Sequence, residues 1–179
     1  MNEFRYAGIE TFDINNGTGF GVTLFVQGCS HHCKGCHNPT TWDFNGGESL
    51  DPVTLSKLFS TLQDPNIKRL TISGGEPFDN ICLVNAICKR VKTEAPDISI
   101  WIYTGYTFED IIQNDERKSI LKYCDVLVDG EFVLERRDLS LPFRGSSNQR
   151  VIDIPTTLQS GTITKRKFIG DGNDASKEH

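Results

Sequence analysis

The sequence lacks any apolar run approaching the roughly 18 to 20 residues needed to span a bilayer. Its first twenty residues, MNEFRYAGIETFDINNGTGF, carry scattered charges and no apolar stretch of the secretory type. A basic excess is also missing. The 19 Lys and Arg stand against 24 Asp and Glu, so no broad positive field is available to nucleic acid or anionic lipid. Asn16-Gly17-Thr18-Gly19 is followed by no Gly-Lys-Ser/Thr, which leaves it a plain turn rather than a phosphate loop. There is no internal repeat of fixed period. These absences predict a cytoplasmic protein with neither a membrane nor a nucleic acid as partner, and 179 residues suit one domain.

Cysteine is what the chain does have. The cytosol keeps thiols reduced, so six cysteines in a chain of this size are not expected to form a disulfide framework. Cys29, Cys33 and Cys36 fall within eight residues and look like a site. Cys82, Cys88 and Cys124 stand apart and read as small buried apolar residues.

The pattern around them alternates strand, glycine turn and helix. Val22–Val26, Arg69–Ile72, Ile98–Tyr103 and Asp125–Val128 are short, apolar and β-branched, as buried strands are. Further strands are possible near Tyr6–Asp13 and Arg150–Ile154. Asp51-Pro52 caps a helix whose Leu55, Leu58, Phe59 and Leu62 form one face. Ile81, Val84, Cys88 and Val91 mark a second helix, and residues from about Phe108 to Tyr123 a third helical region. Such alternation implies an α/β fold with a largely parallel sheet, whose strand C-termini open on one edge where ligands bind. The turns at Cys29–Cys36, Gly74–Pro77, Thr104–Tyr106 and Asp129–Gly130 are therefore expected to meet at one cleft. The strands are too few for a closed eight-stranded barrel, and a partial, open (βα) barrel is expected. The turn-rich stretch Leu141–Arg150 either lines that cleft or crosses the surface, and residues 171–179 read as a frayed end.

Three thiolates on one loop are one fewer than a closed four-iron cluster or a structural zinc site takes. A zinc loop would need His31, His32 or His37 as fourth ligand, and the two neighbouring histidines, His31 and His32, read as exposed rather than ligating. A [4Fe–4S] cluster on three cysteines instead leaves one iron open to a small chelating molecule.

Cys29-Ser30-His31-His32-Cys33-Lys34-Gly35-Cys36 resembles the signature of the radical S-adenosylmethionine superfamily, and Gly74-Gly75-Glu76 resembles its methionine-binding turn. Gly35 departs from the aromatic residue usual before the third cysteine, and His37 stands where close relatives often carry an aromatic. Within the superfamily, Thr23–Cys29, His37–Trp42, Trp101–Tyr106, Val126–Phe132 and Phe143–Gln149 are similar, in order, to blocks of the activating proteins of anaerobic ribonucleoside-triphosphate reductases. The resemblance implies that Cys29, Cys33 and Cys36 are the metal ligands and, through the cluster, the catalytic residues. It implies S-adenosylmethionine as cofactor, held by Gly35, Cys36, His37, Gly74, Gly75 and Glu76, and cleaved to methionine and a 5′-deoxyadenosyl radical. Its target would be a glycine of the partner reductase, and its electron a gift of flavodoxin or ferredoxin. Tyr103, Thr104 and Asp129 would contribute to the cleft wall or to a monovalent-cation site. Residues 1–160 would form the radical S-adenosylmethionine domain and 161–179 an extension, where Lys165-Arg166-Lys167 reads as a solvated face. The alternatives are an activase of another glycyl-radical enzyme, such as pyruvate formate-lyase, and a zinc-binding module.

Overall fold

The computed structural model describes residues 4–168. Seven strands form one open sheet in the order β3-β1-β2-β4-β5-β6-β7. They are β1 (Arg5–Asp13), β2 (Gly21–Val26), β3 (Glu48–Ser49), β4 (Arg69–Gly74), β5 (Ser99–Tyr103), β6 (Val126–Asp129) and β7 (Arg150–Asp153). The centre, β2-β4-β5-β6, is parallel, while β1, β3 and β7 join antiparallel at the flanks. All four strands expected from their apolar runs are present, as are both further ones. The α/β class holds, and the sheet is open as anticipated.

Helices α1 (Pro52–Thr61), α2 (Ile81–Glu94), α3 (Phe108–Ile112), α4 (Asp115–Leu121) and α5 (Ile154–Ser160) complete the fold. Asp51 caps α1 by accepting from the Thr54 amide at 2.7 Å. The Leu58, Leu62, Leu83, Val84, Ile87, Cys88 and Val91 side chains join Leu24, Leu70, Ile72, Ile100 and Ile102 in the main core. The helical region after β5 differs from the sequence expectation. It breaks at Gln113-Asn114, because Asn114 caps α4 through the Arg117 amide and so starts a new helix. The short β3 and α5 carry too little periodicity to be read from sequence. Cys88 and Cys124 are buried as expected and Cys82 is exposed, a correction that follows from its place on the outer side of α2.

The segment after α5 runs back along β7. Ile152 bridges Lys165, and the Asp153 and Arg166 amides donate to Thr164 and Val151 carbonyls at 2.8 Å each. Arg166 pairs with Asp153 and lies over Trp101, so this basic residue is not simply solvated. A second apolar cluster of Trp101, Val126, Val128 and Val151 is finished by Tyr103, Phe143 and Phe168. The expectation of a frayed end at 171–179 lies outside the described residues.

The base of the sheet holds a buried ion pair. Arg69, fully buried at the start of β4, donates to Asp13 Oδ2 at 2.6 Å and to the Asp13, Thr18 and Gly19 carbonyls. Asp13 also accepts from Thr23 Oγ1 at 2.7 Å and from the Asn15 amide. Burial alone would raise the Asp13 pKa, but these donors and the Arg69 charge hold it below its ordinary value. Asp13→Ala strands a buried guanidinium and should cost about 3–5 kcal/mol in urea unfolding. Glu94→Gln breaks the exposed Arg90–Glu94 pair and should cost no more than about 0.5 kcal/mol. Since the Asp13 pKa is lowered on folding, its contribution is complete above the carboxylate range and is lost as pH falls through it. Unfolding curves taken across that range in wild type and Asp13→Ala should therefore converge at acid pH.

Candidate functional site

β2 ends at Val26, and the chain then turns through Gln27 and Gly28 into the cysteine loop. Backbone bonds fix that exit: the Gly28 amide donates to Thr41 O at 2.8 Å and the Cys29 amide to Trp42 O at 3.1 Å. Buried Gln27 reaches across to the Thr40 and Asp43 carbonyls. Its role is invisible in sequence, because one glutamine carries no periodic signal. The Ser30 amide donates to Asp79 Oδ2 at 3.0 Å and the Cys36 amide to Cys33 O at 3.1 Å. Gly35 makes the tight turn between the last two cysteines with φ +77°, in the left-handed region.

Cys29, Cys33 and Cys36 are free thiols, each half-buried. Burial pushes the Cys29 and Cys33 thiols up. The Asn38 amide donates to Cys36 Sγ at 3.3 Å, a contact of the kind that tunes cluster sulfurs. The donor set suits an iron–sulfur cluster: three thiols on one ordered loop at a strand end, with a backbone donor already aimed at one of them. The histidines that a zinc loop would require are engaged elsewhere. His32 stacks on Trp42, His37 on Phe132, and His31 lies between Glu76 and Glu131. Among the described residues no group of three or more His, Cys, Asp or Glu is placed to hold a single metal ion.

The Gly74-Gly75-Glu76 turn lies directly beside this loop, joined to it by backbone. The Gly75 amide donates to Val26 O at 2.8 Å and the Glu76 amide to Gly28 O at 2.7 Å. A Cβ on Gly75 would stand 2.3 Å from Gly28 O, so only glycine permits this approach. Glu76 itself is 1% exposed and its carboxylate is turned into the protein. Oε1 accepts from the Phe78 amide at 2.9 Å and Thr104 Oγ1 at 2.7 Å, and Oε2 from the Gly105 amide at 2.8 Å.

His31 is the residue that sequence reasoning missed. Its side chain is 11% exposed, not solvated. Nδ1 lies 2.9 Å from Glu131 Oε1 and Nε2 3.2 Å from Glu76 Oε2, while the ring meets Tyr106 edge-on at 4.5 Å. Contact with Glu76 first, against burial and with help from Glu131, pushes its pKa up to about 9. Tyr106 donates to Asp79 Oδ1 at 2.8 Å and is capped by Arg117, whose guanidinium lies 3.7 Å from the ring centroid.

The ends of β5 and β6 complete the cleft. Of the weaker candidates, Thr104 points at Glu76, and Tyr103 is partly buried with its phenol pushed up by desolvation. Asp129 accepts from the Phe108 amide and from Arg150, which also grips Glu109. Both Asp129 oxygens are thereby engaged by the protein's own donors. The stretch from Glu131 to Gln149 settles the choice left open for residues 141–150: part of it lines the site. Phe132 packs on His37, a Cβ added to Gly145 would stand 3.5 Å from the His37 ring, and Leu134 faces Gly35. Two open cavities of about 580 and 500 Å³ share Gly105 and Glu131, and His31 lines the second. The four expected turn clusters thus meet along one edge of the sheet.

The 4Fe-4S single cluster domain family matches residues 15–152, which spans every element of this site. Among similar proteins is the anaerobic ribonucleoside-triphosphate reductase-activating protein of Vibrio cholerae, 44% identical over 153 residues that cover 83% of this chain and 96% of that one. The protein of the same name from Escherichia coli K12 is 38% identical, covering 84% of this chain and 97% of its own. That of Enterobacteria phage T4 is 39% identical, covering 82% and 92%. No helix among the described residues is long and apolar enough to cross a membrane. With the 4Fe-4S domain matched across the cysteine loop and its neighbouring turns, and with near full-length relatives of one name, the chain belongs to the family of anaerobic ribonucleoside-triphosphate reductase-activating proteins.

Proposed function

We propose that this protein installs a glycyl radical on an anaerobic ribonucleoside-triphosphate reductase by reductive cleavage of S-adenosylmethionine at a [4Fe–4S] cluster held by Cys29, Cys33 and Cys36. The observation that carries the reading is the backbone splice of the three-cysteine loop onto the Gly74-Gly75-Glu76 turn. A zinc loop has no use for that splice, whereas a cluster with one open iron needs a second wall beside it. Cys29, Cys33 and Cys36 would hold the cluster, and cluster and S-adenosylmethionine together would supply the radical chemistry: a one-electron reductive cleavage fed by a flavodoxin or ferredoxin, with methionine and, after hydrogen transfer from a glycine Cα, 5′-deoxyadenosine as products.

The chain's own residues bind, orient and shelter. The Gly74 and Gly75 backbone, next to the cysteine loop, forms the wall for the methionine portion, and Glu76 fixes that wall from behind. The Gly35–His37 backbone, with Phe132 stacked on His37, forms the side for the adenine. In this reading the open sheet is a partial barrel of the radical S-adenosylmethionine type, residues 1–160 are the catalytic domain, and the protein works in the cytoplasm. An open cleft suits a substrate that is a protein segment, since a polypeptide loop must enter from outside. Asp129, already satisfied by Arg150 and Phe108, serves as a clamp on the cleft wall rather than as a cation ligand.

Mixing the reduced, iron-reconstituted protein with S-adenosylmethionine and an anaerobic ribonucleoside-triphosphate reductase should yield the doublet of a glycyl radical by electron paramagnetic resonance. A doublet on pyruvate formate-lyase instead would move the assignment to another partner, and a colourless zinc protein would overturn it altogether. Replacing any one of Cys29, Cys33 or Cys36 by Ala should abolish S-adenosylmethionine cleavage, while Cys82→Ala, on the exposed side of α2, should leave it intact. Product analysis for 5′-deoxyadenosine reads both. Gly75→Ala forces a methyl group against Gly28 O and should lower stability by about 1–3 kcal/mol. Iron bound per chain should fall with it, because Gly28 leads directly into Cys29.

A further inference from the structure

Apart from its thiols, the cysteine loop sends one ring into the cleft between two carboxylates, that of His31. We propose that His31 is a positioning residue that sets Glu76, and through it the methionine-binding turn, relative to the cluster. The inference rests on the function proposed above. The His31 Nδ1 is hydrogen-bonded to Glu131 Oε1 at 2.9 Å, and its Nε2 is buried 3.2 Å from Glu76 Oε2, an ion-pair contact outside hydrogen-bond geometry. Gly105 makes room for it, since a Cβ there would lie 2.6 Å from the ring. Tyr106 closes the other side at 4.5 Å. One side chain thereby touches the loops that follow β4, β5 and β6 while rooted in the loop that follows β2.

The cysteine loop has anchors that do not involve this ring. The bonds from Gly28 to Thr41, Cys29 to Trp42, Ser30 to Asp79 and Cys36 to Cys33 all run through backbone amides. Removal of the imidazole therefore leaves the iron-binding scaffold its supports and its backbone bond to the Glu76 amide, and takes away the side-chain contact between that loop and the Glu76 carboxylate. The loss falls on the cofactor side of the site. Of the two arms, the one to Glu76 is the important one, because Glu76 is buried at the turn whereas Glu131 is over half exposed.

The two arms can be separated. Gln carries its amide nitrogen at the reach of Nε2, and Asn at the reach of Nδ1. His31→Ala, His31→Gln and His31→Asn are reconstituted anaerobically, and three quantities are read: iron per chain, the change that S-adenosylmethionine produces in the spectrum of the reduced cluster, and the KM and kcat of its cleavage. Iron should match wild type in all three variants. In Ala and Asn the KM should rise on the order of tenfold or more, with a weakened spectral change, as loss of an outer-shell partner does elsewhere. Gln should recover most of both. Wild-type affinity in His31→Ala, equal behaviour of Asn and Gln, or loss of iron from all three would each overturn the inference. If wild type itself shows neither the spectral change nor cleavage, the proposed function fails instead.

Discussion

The cleft depends on where one buried carboxylate finds its hydrogen bonds. Glu76 is 1% exposed, and a polar group so buried is costly unless donors surround it. Its own turn supplies the Phe78 amide, and the rest must come from the next strand, as Thr104 Oγ1 and the Gly105 amide. Satisfying Glu76 therefore pins the end of β5 to the end of β4. The Glu76 amide meanwhile donates to Gly28 O, which pins the same turn to the end of β2 and hence to Cys29. Three strand ends are fixed relative to one another by one residue's side chain and backbone.

β4 carries a counterpart at its other end. Arg69 opens the strand fully buried and gathers Asp13, Thr18 and Gly19, just as Glu76 gathers the loops past its close. The apolar middle, Leu70 and Ile72, packs in the main core between them. A buried charge at each end costs stability that well-packed apolar residues would not, and what it supplies is a fixed geometry of loops. A third such clamp, Arg150 on Asp129 and Glu109, ties β7 to β6 and α3 along the cleft's remaining side. The site is thus held by polar fasteners at the sheet's edge, and the fold by apolar packing at its centre.

This division explains what the sequence disclosed. The four central strands and two longer helices were legible because apolar residues recur at the period of each element, and the cysteine loop because its ligands lie close together in the chain. The meeting of the turns followed from parallel topology alone. The break at Asn114 was not legible, since a capping side chain competes locally with a helical pattern that otherwise continues. Nor was His31, whose partners Glu76 and Glu131 lie 45 and 100 residues away. In a polar loop its surroundings predict exposure, and only the folded arrangement brings Glu76, Tyr106 and Glu131 around it. Contacts of that range leave no trace in local composition.

The sheet's two edges are treated differently, with consequences for approach to the site. Beyond β7, the segment from Thr164 to Arg166 pairs along the strand, and Arg166 and Phe168 cover Trp101. This segment lies past the matched domain, which ends at residue 152. It removes an exposed strand edge, the kind of surface on which chains pair without specificity. At the opposite edge β3 pairs only with Arg5 and Tyr6 of β1. Between these edges, the C-terminal ends of β2, β4, β5 and β6 carry short turns and the two cavities around Gly105 and Glu131. Under the proposed function a polypeptide partner would be met at the face where the cysteine loop, Glu76 and His31 converge, while β7's pairing with its own downstream segment covers the strand edge on that flank.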